Sequence, residues 1–366
     1  MTIKVYVVDD SAVVRQALKF LLQDDPEIEL VGSAPNPLIA EPILRKTPPD
    51  VLLLDIEMPG MDGLTFLRQL MAERPIPTVI CSTLTANGSE MALEALAAGA
   101  VAVVAKPRVG LKQFLEESRH ELVQTLKTAA RARPRVFVAP RVVRPGAGGA
   151  GGATSTGPAA GAQALRPAPR PMRTLSVNKP IVLGSSTGGT QAIEQVLMAL
   201  PADCPGIAIV QHMPEKFTAM YAQRLNTVCA MTVREAADGD RLERGVVLIA
   251  PGGRHMQLRR NAGAYFVAIA DGPPVNRHKP SVDVLFRSAA ECADANALGI
   301  ILTGMGDDGA RGMKQLHDAG SRTIAQNEES CVVFGMPKEA IKLGGVDEVI
   351  GIAQVAAAIL RFDARG

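Results

Sequence analysis

The sequence contains no tryptophan, and aromatic residues make up only 3% of it, so a chain of base-stacking platforms for single-stranded nucleic acid is not expected. Strong charge of either sign is missing too. Against 39 Lys and Arg stand 37 Asp and Glu, a formal net charge of +2, which exerts no global pull on a polyanion. No apolar run reaches the roughly 18–20 residues that a membrane span requires, so no membrane insertion is expected. The opening Met1-Thr-Ile-Lys-Val-Tyr lacks a charged segment followed by an apolar one, so no signal peptide is expected. Cysteine is sparse. Cys81, Cys204, Cys229, Cys292 and Cys331 form no C-x-x-C and are odd in number, against a disulfide framework or a zinc knuckle. They read as small buried hydrophobes in a reducing cytoplasm.

Apolar material for two cores is present. Hydrophobic residues are 47% and charged residues 21% of the chain, a globular composition. At roughly 100–200 residues per domain, 366 residues point to two domains. Residues 134–178 are rich in Gly, Ala, Pro and Arg, and no Asp or Glu occurs between Glu121 and Glu194. This segment cannot bury enough apolar surface to offset its ordering entropy. It reads as a flexible basic linker between residues 1–125, whose last helix runs to about 133, and residues 179–366. Such a spacer is either simply solvated or docks on an acidic surface.

Before the linker, short apolar runs alternate with amphipathic stretches. Strands are expected over 3–8, 51–54, 78–81 and 101–104, and helices over 12–22, 63–73, 89–98 and 111–132. This alternation argues for a doubly wound parallel sheet. The pattern resumes afterwards with strands over 181–184, 206–210, 297–302 and 322–326. Helices are expected over 190–199, 216–227, 282–293, 310–319 and 353–360. Residues 246–250 and 263–270 alternate with turn residues and suggest an antiparallel portion in a second, mostly parallel α/β domain.

Chemistry-bearing residues stand at the strand ends. Asp9-Asp10 follows the first strand, Asp55 the strand at 51–54, Ser82 the strand at 78–81, and Lys106-Pro107 the strand at 101–104. Carboxyl ends of parallel strands converge in one crevice. Three carboxylates there repel one another unless a hard cation such as Mg²⁺ binds, and a lysine beside them can meet a phosphoryl group as a point charge. With Asp55-Ile-Glu-Met-Pro-Gly-Met-Asp-Gly added, residues 1 to about 125 resemble a response-regulator receiver domain. The resemblance implies a flavodoxin-like fold with a five-stranded parallel sheet. It implies Asp55 as phospho-acceptor and Mg²⁺ held by Asp9, Asp10, Asp55 and the Glu57 carbonyl. Ser82 and Lys106 would sense the phosphoryl group, and a histidine kinase would donate it.

After the linker, Gly184-Ser-Ser-Thr-Gly-Gly189 forms a glycine-rich turn between a strand and a helix. Such a turn exposes a serine beside backbone N–H groups that can hold an oxyanion, or it can bind a phosphate or dinucleotide. Gln211-His-Met-Pro ends the next strand, and Thr303-Gly-Met-Gly-Asp-Asp-Gly309 follows a later one. Serine, histidine and aspartate thus stand at three strand ends, the ingredients of a catalytic triad. Spacing leaves Ser185 against Ser186 and Asp307 against Asp308 open, and His255 and His278, also expected in loops, compete with His212.

These stretches, with Ala250-Pro-Gly-Gly, Asp271-Gly-Pro-Pro-Val-Asn-Arg-His-Lys-Pro-Ser-Val-Asp and Ala325-Gln-Asn-Glu, resemble the chemotaxis protein-glutamate methylesterase family from about 180 to 360. The resemblance implies Ser186 as nucleophile, His212 as base and Asp308 as orienting acid, with Thr187 and the Met305 backbone at the oxyanion. It implies no cofactor in this domain and a monomeric enzyme gated by its receiver. That enzyme demethylates, and deamidates, methyl-accepting chemotaxis receptors. The chain departs from the family in having Ser185 where Ala is usual and Asp307 where Asn is frequent. A second carboxylate beside Asp308 would raise a local pKa if both were buried. Two other classes are a DNA-binding response regulator, disfavoured by the charge balance and the lack of a visible helix-turn-helix, and a catalytically idle docking module.

Overall fold

The computed structural model describes residues 2–58, 63–83, 86–106, 112–132 and 179–364. Residues 134–178, Pro107 and part of the stretch after Asp55 lie outside them.

The first unit runs β1 (Ile3–Val8), α1 (Ala12–Leu22), β2 (Ile28–Ala34), α2 (Pro37–Lys46), β3 (Val51–Asp55), α3 (Gly63–Glu73), β4 (Thr78–Ser82), α4 (Ala86–Ala97), β5 (Ala102–Ala105) and α5 (Lys112–Ala129). Its sheet is parallel, in the order β2-β1-β3-β4-β5. The interior strands β3 and β4 are buried along their whole length, because helices cover both faces of a doubly wound sheet. The chain starts at β1, moves to β2, then crosses to β3 on the other side. That reversal opens a crevice at the carboxyl ends of β1 and β3.

The second unit runs β6 (Ile181–Ser185), α6 (Gly189–Met198), β7 (Ile207–Gln211), α7 (Glu215–Val228), β8 (Thr232–Glu235), β9 (Val246–Ile249), β10 (His255–Asn261), β11 (Ala264–Ala270), α8 (Val282–Ala293), β12 (Leu298–Ile301), α9 (Ala310–Asp318), β13 (Arg322–Gln326), α10 (Met336–Lys342), β14 (Glu348–Ile350) and α11 (Ile352–Ala364). Seven parallel strands lie in the order β14-β13-β12-β6-β7-β9-β8, and β10 and β11 form a separate antiparallel pair. Here the reversal falls between β6 and β12.

Two expectations need correction. Residues 246–250 are not antiparallel: β9 pairs in parallel with both β7 and β8. The antiparallel partner of β11 is β10, which also takes His255 out of a loop and into a strand. Elements that the periodicity did not reveal are short or irregular. β2 alternates exposed and buried residues at a sheet edge, α2 carries Pro42 inside it, and β8 and β14 are edge strands of four and three residues.

The two units touch. α4 packs on α6 and α7, and its Leu93 and Leu96 share one apolar cluster with Ile193 and Leu197. At the end of α5 the Thr128 hydroxyl meets the Met305 thioether. Between them opens a cleft of about 670 Å³ walled by Thr128, Arg131, Met305, Glu328, Val333 and Lys338.

Leu183, fully buried in the central strand β6, tests where the second core lies. Leu183→Ala is expected to cost about 2–5 kcal/mol, read as a lower urea midpoint with an unchanged slope.

Candidate functional site

The β6–α6 connection is shaped by two glycines. Gly188 has φ +76°, and a Cβ there would stand 2.5 Å from Val332; at Gly189 a Cβ would stand 2.1 Å from Gln211 Oε1. Any larger residue would push the turn off its strand. The two serines diverge. Ser185 is fully buried and donates to Gln211 Oε1 at 2.7 Å, whereas Ser186 is partly exposed at the rim. Gln211 holds the turn from below, donating to the carbonyls of Ser186 (2.8 Å) and His212 (3.0 Å). Thr303 holds it from the side, donating to the Thr187 carbonyl at 2.9 Å and accepting from the N–H groups of Val332 and Val333.

His212 follows β7, and its Nε2 lies 2.8 Å from Asp308 Oδ2. Asp308 is buried. Its Oδ2 also accepts from Val282 N–H at 2.7 Å, and its Oδ1 accepts from Ser281 Oγ (2.7 Å), Asn276 Nδ2 (2.8 Å) and Asp283 N–H (3.3 Å). Ser281 stands at the N-cap of α8 but makes no side-chain bond to its own helix. The Asp308 carboxylate takes that bond and meets the positive end of the helix. Burial pushes the Asp308 carboxyl up, but the interaction with His212 and the hydrogen bonds from Asn276 and Ser281 outweigh it and hold the group well below the usual carboxylate range.

An ionised carboxylate only accepts, so His212 Nε2 carries the proton in this bond, which leaves Nδ1 as a lone-pair acceptor. Nδ1 is buried and has no hydrogen-bond partner. The pair can therefore take a proton at Nδ1 and stabilise the resulting cation.

Asp307 is not the carboxylate bonded to His212. Its side chain is 48% exposed beside Arg277, so the doubled carboxylate does not meet the condition of shared burial. His255 is also set apart, its Nε2 on the Pro273 carbonyl and its Nδ1 accepting from Ser281 N–H. His278 does enter the site: its ring stacks on His212 with centroids 3.7 Å apart and 12° between planes. Sequence pattern alone does not single out Gln211, Asn276 and Ser281. Only their positions inside the quoted motifs signalled them. Cys331 offers no rival nucleophile, because burial pushes its thiol up to about 12.

In the first unit, Asp9, Asp10 and Asp55 bring carboxylate oxygens within 4.8 Å of one another. Lys106 Nζ lies 2.6 Å from Asp55 Oδ2 and 3.5 Å from Asp9 Oδ2. Asp55 Oδ1 accepts from Glu57 N–H at 2.9 Å, while Asp9 Oδ2 is buried without a hydrogen bond. Burial raises the Asp9 and Asp55 carboxyls, against the pull of Lys106. An orphaned oxygen facing two other carboxylates fits a hard cation. Ser82 is placed at this rim but turned away, its hydroxyl donating to the Gly88 carbonyl at 3.1 Å. The Glu57 carboxylate accepts from Thr83 Oγ1, leaving the Glu57 carbonyl as the group the resemblance assigns to the cation.

The stack makes a pH test possible. Burial, then the neighbouring His212, lowers His278 from 6.5 to about 4. The unfolded chain takes up this proton at higher pH than the folded one. The contribution to stability is therefore complete above about pH 6.5 and lost as pH falls toward 4. The thermal midpoint is expected to drop across that window, and less steeply in His278→Phe.

Two family models match the chain. Residues 5–119 match the model of the response regulator receiver domain, and residues 181–359 that of the CheB methylesterase. The protein-glutamate methylesterase/protein-glutamine glutaminase 1 of Chromobacterium violaceum is 54% identical over 97% of this chain and 98% of its own length. The corresponding protein 2 of Dechloromonas aromatica is 55% identical over 98% of each. Among solved structures, the CheB methylesterase catalytic domain of Thermotoga maritima is 37% identical and covers 50% of this chain and 98% of that one, with a TM-score of 0.49. With an α/β receiver ahead of an α/β catalytic unit, and relatives alike from end to end, the chain belongs to the protein-glutamate methylesterase/protein-glutamine glutaminase family.

Proposed function

We propose that the protein is a phosphorylation-controlled serine hydrolase that removes methyl groups from glutamate methyl esters on methyl-accepting chemotaxis receptors, and deamidates selected receptor glutamines. The observation that carries this reading is the buried His212–Asp308 pair, with Nδ1 unpartnered, at the same sheet reversal as the partly exposed Ser186. Ser186 Oγ attacks the γ-carbonyl of the ester while His212 Nδ1 takes its proton. Backbone N–H groups at Thr187 and Met305 stabilise the oxyanion. The proton then passes to the departing methanol, or to ammonia when the substrate is an amide. Water, deprotonated by the same nitrogen, releases free glutamate and restores the serine. Asp308 keeps the imidazole in the required tautomer and stabilises its cation.

The receiver is the control element. Asp55 would accept a phosphoryl group from a histidine kinase, with Asp9, Asp10, Asp55 and the Glu57 carbonyl holding a Mg²⁺ that, when bound, offsets charge on the reacting oxygens. Lys106, already on Asp55, would move to the phosphoryl oxygens. The packing of Thr128 on Met305 and of α4 on α6 supports a gate. Phosphorylation shifts the population away from the packed state by no more than the difference in packing free energy. Among the described residues no helix is long and apolar enough to cross a membrane.

Methanol release from methylated receptor membranes tests the chemistry. Wild-type release is expected to fall about 10⁴–10⁶-fold in Ser186→Ala, and undiminished release would sink the triad. Residues 175–366 alone should outpace the unphosphorylated whole, and equal rates would remove the gate. Calorimetry should detect Mg²⁺ binding by the wild type and much weaker binding by Asp9→Asn.

A further inference from the structure

The turn that carries His278 has an uncommon backbone. Val275 and His278 exchange both backbone hydrogen bonds, at 3.0 and 2.9 Å. Between them Asn276 and Arg277 are both left-handed, with φ +49° and +69°. A two-residue turn of this hand normally draws Asn-Gly, and here arginine stands in the glycine's place. Strain of this kind persists only where the surroundings over-determine it.

Two contacts do so, and both end on the same pair of side chains. Asn276 Nδ2 donates to Asp308 Oδ1 at 2.8 Å and to Asp283 Oδ2 at 2.6 Å. One amide nitrogen thus uses its two protons to join two buried carboxylates. Two residues on, the His278 ring lies flat against His212. The His212 ring is held along one edge by Asp308, and its other nitrogen has no partner. A single hydrogen bond at one edge restrains the ring's torsion about Cβ–Cγ only weakly, since sp³–sp² torsions are broad. A surface against the ring's face narrows that torsion, and His278 supplies one.

We infer that the turn at 275–278 is a clamp on the His212–Asp308 pair, and that His278 is a positioning residue whose ring face fixes the plane in which His212 Nδ1 meets Ser186. The inference rests on the triad reading given above. His278 acts through its aromatic face: among the described residues its ring makes no hydrogen bond, and with its pKa lowered to about 4 it is uncharged at neutral pH. A neutral ring can stay stacked when His212 becomes a cation, whereas a charged one would be repelled.

The test uses the full chain, phosphorylated by a small acyl phosphate, and methanol release from methylated receptor membranes. His278→Ala, His278→Phe and Ser186→Ala are compared with the wild type. A misplaced ring is expected to lower kcat about 10²-fold in His278→Ala with KM unchanged. His278→Phe, which keeps a flat face and loses both ring nitrogens, is expected to recover most of it. A phenylalanine variant as slow as the alanine variant would overturn the clamp, as would a loss confined to KM or an alanine variant with full kcat. If His278→Ala does not fold, the phenylalanine variant decides alone: near-normal kcat supports the stacking role, and a large loss removes it. Persistent activity in Ser186→Ala would sink the triad itself. A dead Ser186→Ala beside a fully active His278→Ala would sink the clamp only.

Discussion

The second unit is organised around one buried anion. Asp308 accepts five hydrogen bonds from three parts of the chain: His212 at the end of β7, Asn276 in the turn before α8, and Ser281, Val282 and Asp283 at the start of α8. Bonds to a charged group contribute about 1.5–3 kcal/mol each, and removing one partner leaves the same buried charge to the other four donors. The carboxylate therefore fixes where α8 begins, how the preceding turn closes and which edge of His212 faces inward. A neutral residue at 308 would release all three at once.

Both units place their chemistry by the same topological rule and differ in how the charge is met. In the second, one carboxylate is surrounded by donors and its carboxyl is lowered. In the first, three carboxylates crowd together and Lys106 reaches two of them, Asp9 and Asp55; both carboxyls are raised, and one Asp9 oxygen has no hydrogen bond. Surplus donors make a permanent anion that can orient a base. Surplus acceptors make a site that calls for a cation. The crevice alone does not distinguish these outcomes; the count of N–H and O–H groups around each oxygen does.

Much of this was legible in the sequence because it lies at strand ends, where apolar runs stop and polar residues begin. Asp9, Asp55 and the Ser185-Ser186 and Gln211-His212 pairs stand at that break. What stayed hidden depends on contacts distant along the chain. Asn276 and Ser281 precede Asp308 by 32 and 27 residues, and no periodicity links them. The choice between Ser185 and Ser186 follows from side-chain direction at the last residue of β6, where Gln211 captures one hydroxyl. The direction of β9 is not legible in its residues, because strand direction depends on which neighbour a short strand finds. The same four apolar residues suit either ladder.

Val332 belongs to the same apolar cluster as Leu126 and Ala129 of the receiver's last helix, and it also stands where Gly188 leaves no room for a Cβ. Its N–H is held by Thr303, whose hydroxyl also holds the Thr187 carbonyl. One side chain is thus a tenant of two interiors. Its size cannot be tuned for the seam between the units without altering the bend that presents the serine. Sequence drift at 188, 303 and 332 is tied together, and a receiver taken from a distant relative would have to fit Val332 at the size the serine's turn dictates.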